Sequence, residues 1–277
     1  MSSMEITEKY LDDFLIYGNP AHEVGSAIPI AIGNIRNVEV LTNENFGKIC
    51  EIINRVTLTP FYPSGFSRSN HNGTHSARQA RMMEALMNLF DRATKERLSQ
   101  EETVHLKLAA YLLRSGRIDE SSHDSLTPDN YYTRSAMIYE AYAKQLQVSE
   151  ETVSWIYHVI SNSCKPIGIR DKNIDTNPKW KFGWDCLAVV HETDLIRCFS
   201  KKEIDTKVKI KTEEHLKNYF SNAKTITEQL FNYSQKLCEA TGCYRIYDDH
   251  PGNRSLFFLC SSYGKECWKR VQKIGLP

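Results

Sequence analysis

Ser67-Arg68-Ser69-Asn70-His71-Asn72-Gly73-Thr74-His75-Ser76-Ala77-Arg78-Gln79 sets two imidazoles four residues apart, where a loop turns into a helix. Upstream, Thr57-Leu58-Thr59-Pro60 and Tyr62-Pro63-Ser64-Gly65 interrupt any regular ladder. Downstream, Ala77, Ala80, Met83, Ala85, Leu86, Leu89 and Phe90 recur at roughly helical spacing. Ser69 or Asn70 is suited to cap the helix start. Residues at i, i+4 and i+7 share a helix face, so His71, His75 and Arg78 are predicted to line one side of the first two turns. A helix N-terminus offers free N–H groups and partial positive charge, which suits an anionic ligand. Two ionisable rings and a guanidinium there point to phosphate chemistry. The plain alternative is a polar helix start with solvated histidines.

The 277 residues suffice for one large domain or two lobes with a sizeable core. Lys and Arg total 35 against 34 Asp and Glu, a net charge of +1. That balance gives no reason to expect a nucleic-acid or membrane-surface binder. None of the eight cysteines forms a CxxC pair, so a structural zinc site is poorly supported, and the reading is a reducing compartment. No apolar run has the form of a signal peptide or the length of a membrane span, which leaves open a secretion route that uses neither.

Helix follows helix along the chain. Residues 4–16 carry a short amphipathic pattern, and residues 17–42 are rich in glycine and proline. Asn43 to Arg55 sets Phe46, Ile49, Cys50 and Ile53 on one face. Ser99 and Glu102 form a capping box ahead of a stripe of His105, Leu108, Ala109, Leu112 and Leu113. That helix runs into Arg114-Ser115-Gly116-Arg117-Ile118-Asp119-Glu120, where Gly116 is expected to turn the chain. Ordinary solvated charges at a helix C-terminus would look similar. Further helices are predicted from about Asn130 and over about 150–162, the second capped by Ser149. Lys165 to Gly183 reads as loop.

Trp184, Leu187, Ala188, His191, Leu195 and Cys198 then share a face, and a lone histidine on such a face is more often a core residue than a catalyst. Asp194 and Arg197 are spaced to pair with each other at i, i+3. After a charged entry from Lys201, two helical stretches are expected at about 212–221 and 224–239, with a turn at Asp248–Asn253. The class is all-α. Residues 1–201 are expected to form a helical catalytic lobe, 202–258 a smaller inserted cap lobe, and 259–277 a C-terminal helix returning to the first lobe.

Metal binding meets two objections. His71 and His75 have a common zinc spacing, but the glutamate of HExxH is absent. The sole His-Asp dipeptide, His123-Asp124, lies in an apparent loop. Helical HD-type phosphohydrolases place that dyad on a central helix, where this chain has Arg114 and Arg117. Guanidiniums in place of metal ligands favour charge neutralisation by arginine.

Four motifs in order resemble the phosphodiesterase domain of the SidE-family bacterial effectors and their stand-alone relatives, the Dup deubiquitinases. They are Arg68-x-Asn70-His71 with His75 and Arg78; Arg114-Ser115-Gly116-Arg117-x-x-Glu120; Tyr132-x-Arg134-Ser135-Ala136 with Tyr139-Glu140-Ala141-Tyr142-Ala143; and His191-x-x-Asp194-Leu195-x-Arg197-Cys198. The resemblance is good over roughly residues 40–200 and looser beyond. It implies a helical catalytic lobe with a cap and no metal or cofactor. It implies cleavage of ADP-ribosylated ubiquitin at the pyrophosphate with release of AMP, or of phosphoribosyl-serine linkages on modified host proteins. It implies a secreted effector acting in the host cytoplasm. Carried over, His71 is the nucleophile that forms a phosphohistidine, and Glu120 orients it, with Glu140 the other candidate. His191 protonates the leaving group. Arg68, Asn70, His75, Arg114 and Arg117 hold phosphate oxygens. Two other readings remain: a non-catalytic nucleotide- or ubiquitin-binding module, and a metal-dependent HD-type nucleotidase.

Overall fold

The computed structural model describes residues 40–58, 71–117, 130–163, 165, 171–241 and 264–277. The patterns at 4–16 and 17–39, the His123-Asp124 dipeptide and the turn at Asp248–Asn253 lie outside them. Among the described residues every regular element is helical, as the all-α reading expects. None of these helices is long and apolar enough to cross a membrane.

Helix α1 (Phe46–Val56) buries Phe46, Ile49, Cys50 and Ile53 completely, the face that the spacing assigned to it. Helix α2 (Gly73–Leu89) is buried along most of its length. A short α3 (Asp91–Arg97), absent from the sequence reading, follows and leads to α4 (Gln100–Leu112). The Ser99–Glu102 capping box of α4 forms with both hydrogen bonds in place. Helices α5 (Tyr131–Gln145) and α6 (Glu150–Ser161) pack along each other, capped by Asn130 and Ser149.

The loop predicted for 165–183 is interrupted. Within it lie α7 (Lys172–Thr176) and the first turns of α8 (Pro178–Asp194). Pro178 misled the pattern reading. At the first position of a helix its missing N–H costs nothing, and Asn177 caps the turn through Lys179 N and Trp180 N. Gly183 is where α8 presses on α6: a Cβ there would stand 2.8 Å from the Trp155 ring.

Beyond a 3₁₀ turn (Leu195–Arg197), Ser200 caps α9 (Lys201–Glu203). The chain then runs through a π-helical segment (Ile204–Val208) into α10 (Lys209–Leu216). Helix α11 (Ala223–Ala240) buries Ile226, Leu230, Tyr233 and Leu237 in the main core, while Phe231 and Cys238 join Ile196, Ile204 and Val208 in a small second cluster. Helix α12 (Gly264–Gln272) lays Trp268 on Phe46, ring centroids 5.2 Å apart. The segment over 201–219 is clasped to α8 by a buried carboxylate. Asp185 accepts from His215 Nδ1 at 2.9 Å, Asn218 Nδ2 at 3.2 Å and Tyr219 Oη at 2.9 Å.

Candidate active site

The start of α2 differs from the sequence expectation. The cap is Asn72, three residues beyond Ser69; its backbone is extended and its side-chain oxygen accepts from Thr74 N at 3.0 Å and His75 N at 3.2 Å. His71 therefore stands just ahead of the helix, in a bend, and shares no helix face with His75 and Arg78. The two rings still meet. His71 and His75 lie edge to face, centroids 5.2 Å apart and planes at 86°.

Helix α8 brings the next groups. Asp194, its last residue, is buried and takes three donors: His75 Nδ1 at 2.6 Å, Arg78 Nε at 2.9 Å and Arg197 Nε at 2.7 Å. Arg78 reaches Thr241 at the end of α11 as well. One turn before Asp194, His191 meets Arg114, whose Nη2 lies 2.9 Å from Nδ1 and 3.0 Å from Nε2 of the ring.

Arg114 and Arg117 follow α4 and are nearly buried. Arg114 bonds Tyr131 Oη and lies against the Tyr131 and Tyr132 rings, and Arg117 lies 4.9 Å from the centre of the Tyr131 ring. Between the arginines, Gly116 N donates to Ser135 Oγ at 2.9 Å and Gly116 O accepts from Arg134 Nε at 2.8 Å. The second and third motifs thus brace each other through backbone.

The electrostatics follow from burial amid arginine. Burial lowers the pKa of His71 well below the ordinary 6.5, and Arg117, Arg197, His75 and Arg114 lower it further. Burial, then Arg114, lowers that of His191 likewise, with Asp194 partly opposing. His75 is pushed down to about 3, chiefly by burial, although Asp194 pulls the other way. Burial alone would raise the Asp194 pKa; Arg78, His75 and Arg197 hold it well below the usual carboxylate range. All three imidazoles are neutral at pH 7 beside an ionised Asp194.

A stability consequence has a definite sign. Each of these histidines, and buried His105 at about 4, has a lower pKa folded than unfolded. Below pH 6.5 the unfolded chain therefore binds more protons. Their contribution is fully present above about pH 6.5 and is lost as pH falls towards each folded pKa. Each such group costs up to about 1.4 kcal/mol per pH unit. The melting temperature is expected to fall steadily from pH 7 to 5, before most carboxylates titrate. A flat profile over that interval would show that the histidines titrate as they do in water.

Of the residues the sequence singled out, His71, His75, His191, Arg114 and Arg117 come together. Arg68, Asn70 and Glu120 lie outside the described residues. Glu140 is carried elsewhere: it pairs with Lys144 at 2.6 Å and lines a surface groove with Val153 and Tyr157. Sequence reasoning gave no role to Tyr131 and did not join Asp194 to α2. The i, i+3 spacing of Asp194 and Arg197 was the one available signal, and that pair does form. A cavity of about 650 Å³ opens beside His191, walled by Trp184, Ala188 and Leu195 on one side and by Phe199, Lys207 and Lys211 on the other.

Such a site can bind an anion on buried guanidiniums beside neutral imidazoles, one of which, His191, contacts Arg114. No curated protein matches the chain. Among solved structures it is similar to lpg1496 of Legionella pneumophila. A crystal structure of that protein under 300 MPa is 19% identical, with 89% of this chain and 96% of that one covered and a TM-score of 0.45. A structure of its C-terminal domain in complex with nucleotide is 20% identical, with 89% and 96% covered and a TM-score of 0.44. A longer lpg1496 chain, described as an uncharacterized protein, is 20% identical, with 92% and 65% covered and a TM-score of 0.45. The family model of the SidE phosphodiesterase (PDE) domain matches residues 40–247, which span all four motifs, and this chain belongs to that family.

Proposed function

We propose that the chain is a phosphodiesterase that works through a phosphohistidine on His71, with His191 as the proton donor. The observation that carries this reading is the convergence of His71, His191, Arg114, Arg117 and Arg197 on one place. In the first step a ring nitrogen of neutral His71 attacks phosphorus, the bond to the leaving oxygen breaks, and His191 gives that oxygen its proton. In the second, water attacks phosphorus and gives its proton to His191, which regains what it donated, while the P–N bond breaks and its electron pair returns to the ring of His71. Phosphoryl transfer needs positioning and compensating charge above all, and the arginines supply both. His191 is neutral in the free protein, so its acid role needs the negative charge of the bound phosphate to raise its pKa. Arg68, Asn70 and Glu120 complete the proposed set, as phosphate ligands and as the orienting carboxylate.

The substrate comes from the family resemblance. It is ADP-ribosylated ubiquitin, cleaved at the pyrophosphate, or the phosphoribosyl-serine linkage to a modified host protein, met in the host cytoplasm. Incubation with ADP-ribosylated ubiquitin, followed by intact mass spectrometry, tests this. The expected result is loss of AMP from the conjugate, unaffected by chelator. An unchanged conjugate alongside measurable AMP binding would leave a binding module. Activity lost with chelator and restored by metal would point to an HD-type nucleotidase.

A further inference from the structure

We propose that the cavity beside His191 holds the leaving half of the substrate as a nucleoside monophosphate, with Lys207 and Lys211 on its phosphate, so that this chain selects a pyrophosphate over a phosphoribosyl-serine linkage. The proposal rests on the assignment of His191 as proton donor and goes beyond it to the choice between the two substrates.

His191 lies on the cavity wall. A group that His191 protonates therefore has the atoms behind its leaving oxygen in that space. The volume, about 650 Å³, is that of a small-molecule site. Along α8 the wall from His191 to Trp184 is about 10 Å long, at about 1.5 Å per residue. Its far end is aromatic and held in place. Trp184 Nε1 donates to Asn162 O at 2.9 Å. His215 stands edge to face with the Trp184 ring, centroids 5.2 Å apart, and its Nδ1 is tied to Asp185. An aromatic end of this kind suits the flat face of a base.

The opposite wall runs from α9 through the π-helical segment into α10 and sets Glu203, Lys207, Lys211 and His215 on the cavity. Each position is four residues from the next. On an α-helix such a step advances about 40° round the axis, so the set would drift through about 120°. The π-helical turns of Ile204–Val208 are wider, closed by i→i+5 hydrogen bonds, and rotate the chain less per residue, which offsets that drift. Lys207 and Lys211 thereby reach the same space as His191. Neither has a carboxylate partner among the described residues, whereas Lys209 between them pairs with Asp205 and Glu228. The carboxylates on these walls are Glu192, Glu203 and Glu214. Glu203 is engaged at Ser200, where it accepts from N and Oγ. Glu192 lies near enough to Lys211 and Arg114 to interact with their charges, and a carboxylate there can accept from sugar hydroxyls. Breaking the P–O bond sends its electron pair to the leaving oxygen, and His191 gives that oxygen its proton. A leaving phosphate still carries negative charge, which the lysines stabilise as it develops. A serine hydroxyl leaves neutral and gives them nothing to hold.

Lys207 and Lys211 are exposed, so glutamine in their place removes charge and leaves the core alone. The wild type is expected to show kcat/KM at least about tenfold higher on ADP-ribosylated ubiquitin than on the phosphoribosyl-serine linkage. Lys207→Gln combined with Lys211→Gln is expected to lower kcat/KM about 30-fold on the first substrate and less than about threefold on the second, with melting unchanged. Lys207→Arg combined with Lys211→Arg should recover most of the loss. Lys217→Gln, exposed and outside the cavity, should change neither. Calorimetry on the free proteins needs no turnover: the double glutamine variant should bind AMP about tenfold more weakly and adenosine about as well as the wild type does. Equal losses on both substrates would overturn the proposal. So would a wild type that prefers the serine linkage or shows no measurable AMP binding, or an AMP affinity that the two glutamines leave unchanged. A wild type that holds AMP through the lysines yet turns over neither substrate would refute the phosphodiesterase reading and leave the nucleotide subsite standing.

Discussion

His71→Ala is expected to abolish turnover at every pH, a loss of about 10⁴-fold or more, because the proposed phosphoryl acceptor is gone. His191→Ala should fail in a different way. AMP leaves the pyrophosphate of an ADP-ribosyl substrate as a phosphate anion that departs without full protonation, so phosphohistidine should form on His71 and persist. A serine alkoxide leaves far less readily, and the same variant should be crippled more deeply on the phosphoribosyl-serine linkage. The structure sharpens the comparison. His191 is half-buried on the wall of an open cavity and meets Arg114, so its truncation should remove little core packing. Its melting temperature should stay within about 2–4 °C of the wild type. Intact mass after mixing with each substrate, with a melting curve for each variant, decides between the roles. A fully active His71→Ala would end the proposed chemistry. A His191→Ala that is destabilised, with proportionate losses on both substrates, would make that histidine a core residue.

The second large effect belongs to a backbone contact. Gly116→Ala would set a Cβ 2.5 Å from both Ser135 N and Tyr131 O, and 2.7 Å from Arg134 Cβ. Two of these are main-chain atoms in the first turns of α5, which cannot rotate aside. Overpacking of this kind costs about 1–3 kcal/mol, and more where backbone must move. The two hydrogen bonds that tie Gly116 to Ser135 and Arg134 would be strained along with it. The melting temperature is expected to drop by about 4–10 °C. Since Arg114 and Arg117 flank the glycine, AMP affinity should weaken about tenfold as well. Unchanged melting and unchanged affinity together would show that α5 yields easily and that the guanidiniums are not set by this contact.

Gly116 illustrates how far the sequence could be read. The glycine suggested a place where the chain turns, and it does lie in a turn. Its stricter requirement, room for the start of α5, depends on a segment nineteen residues on and leaves no local trace. The helices were legible because apolar spacing and caps are local: Phe46, Ile49, Cys50 and Ile53 repeat on one face, and Ser99 with Glu102 closes a box within four residues. Pro178 misled because proline breaks a helix interior yet favours a first turn, and only the fold tells which applies. The site was legible as a list and illegible as a geometry. His71, His75, Arg114, Arg117 and His191 stood out by residue type, whereas the cap at Asn72 moved His71 off the helix face. The pairing of Asp194 with His75 and Arg78 joins positions more than a hundred residues apart, and no window of sequence spans it.

That separation has a temporal side. A ribosome adds about 5–20 residues each second, so the 119 positions from His75 to Asp194 take on the order of ten seconds to make. Throughout that interval the nascent α2 carries Arg78 with no Asp194 to bury it against, and an uncompensated guanidinium resists entry into an apolar interior. In the finished fold Arg78 and Asp194 are both buried, so the first turns of α2 cannot bury that guanidinium against its carboxylate before α8 is made. The cluster around Asp194 can therefore close only once α8 has been made, long after α2.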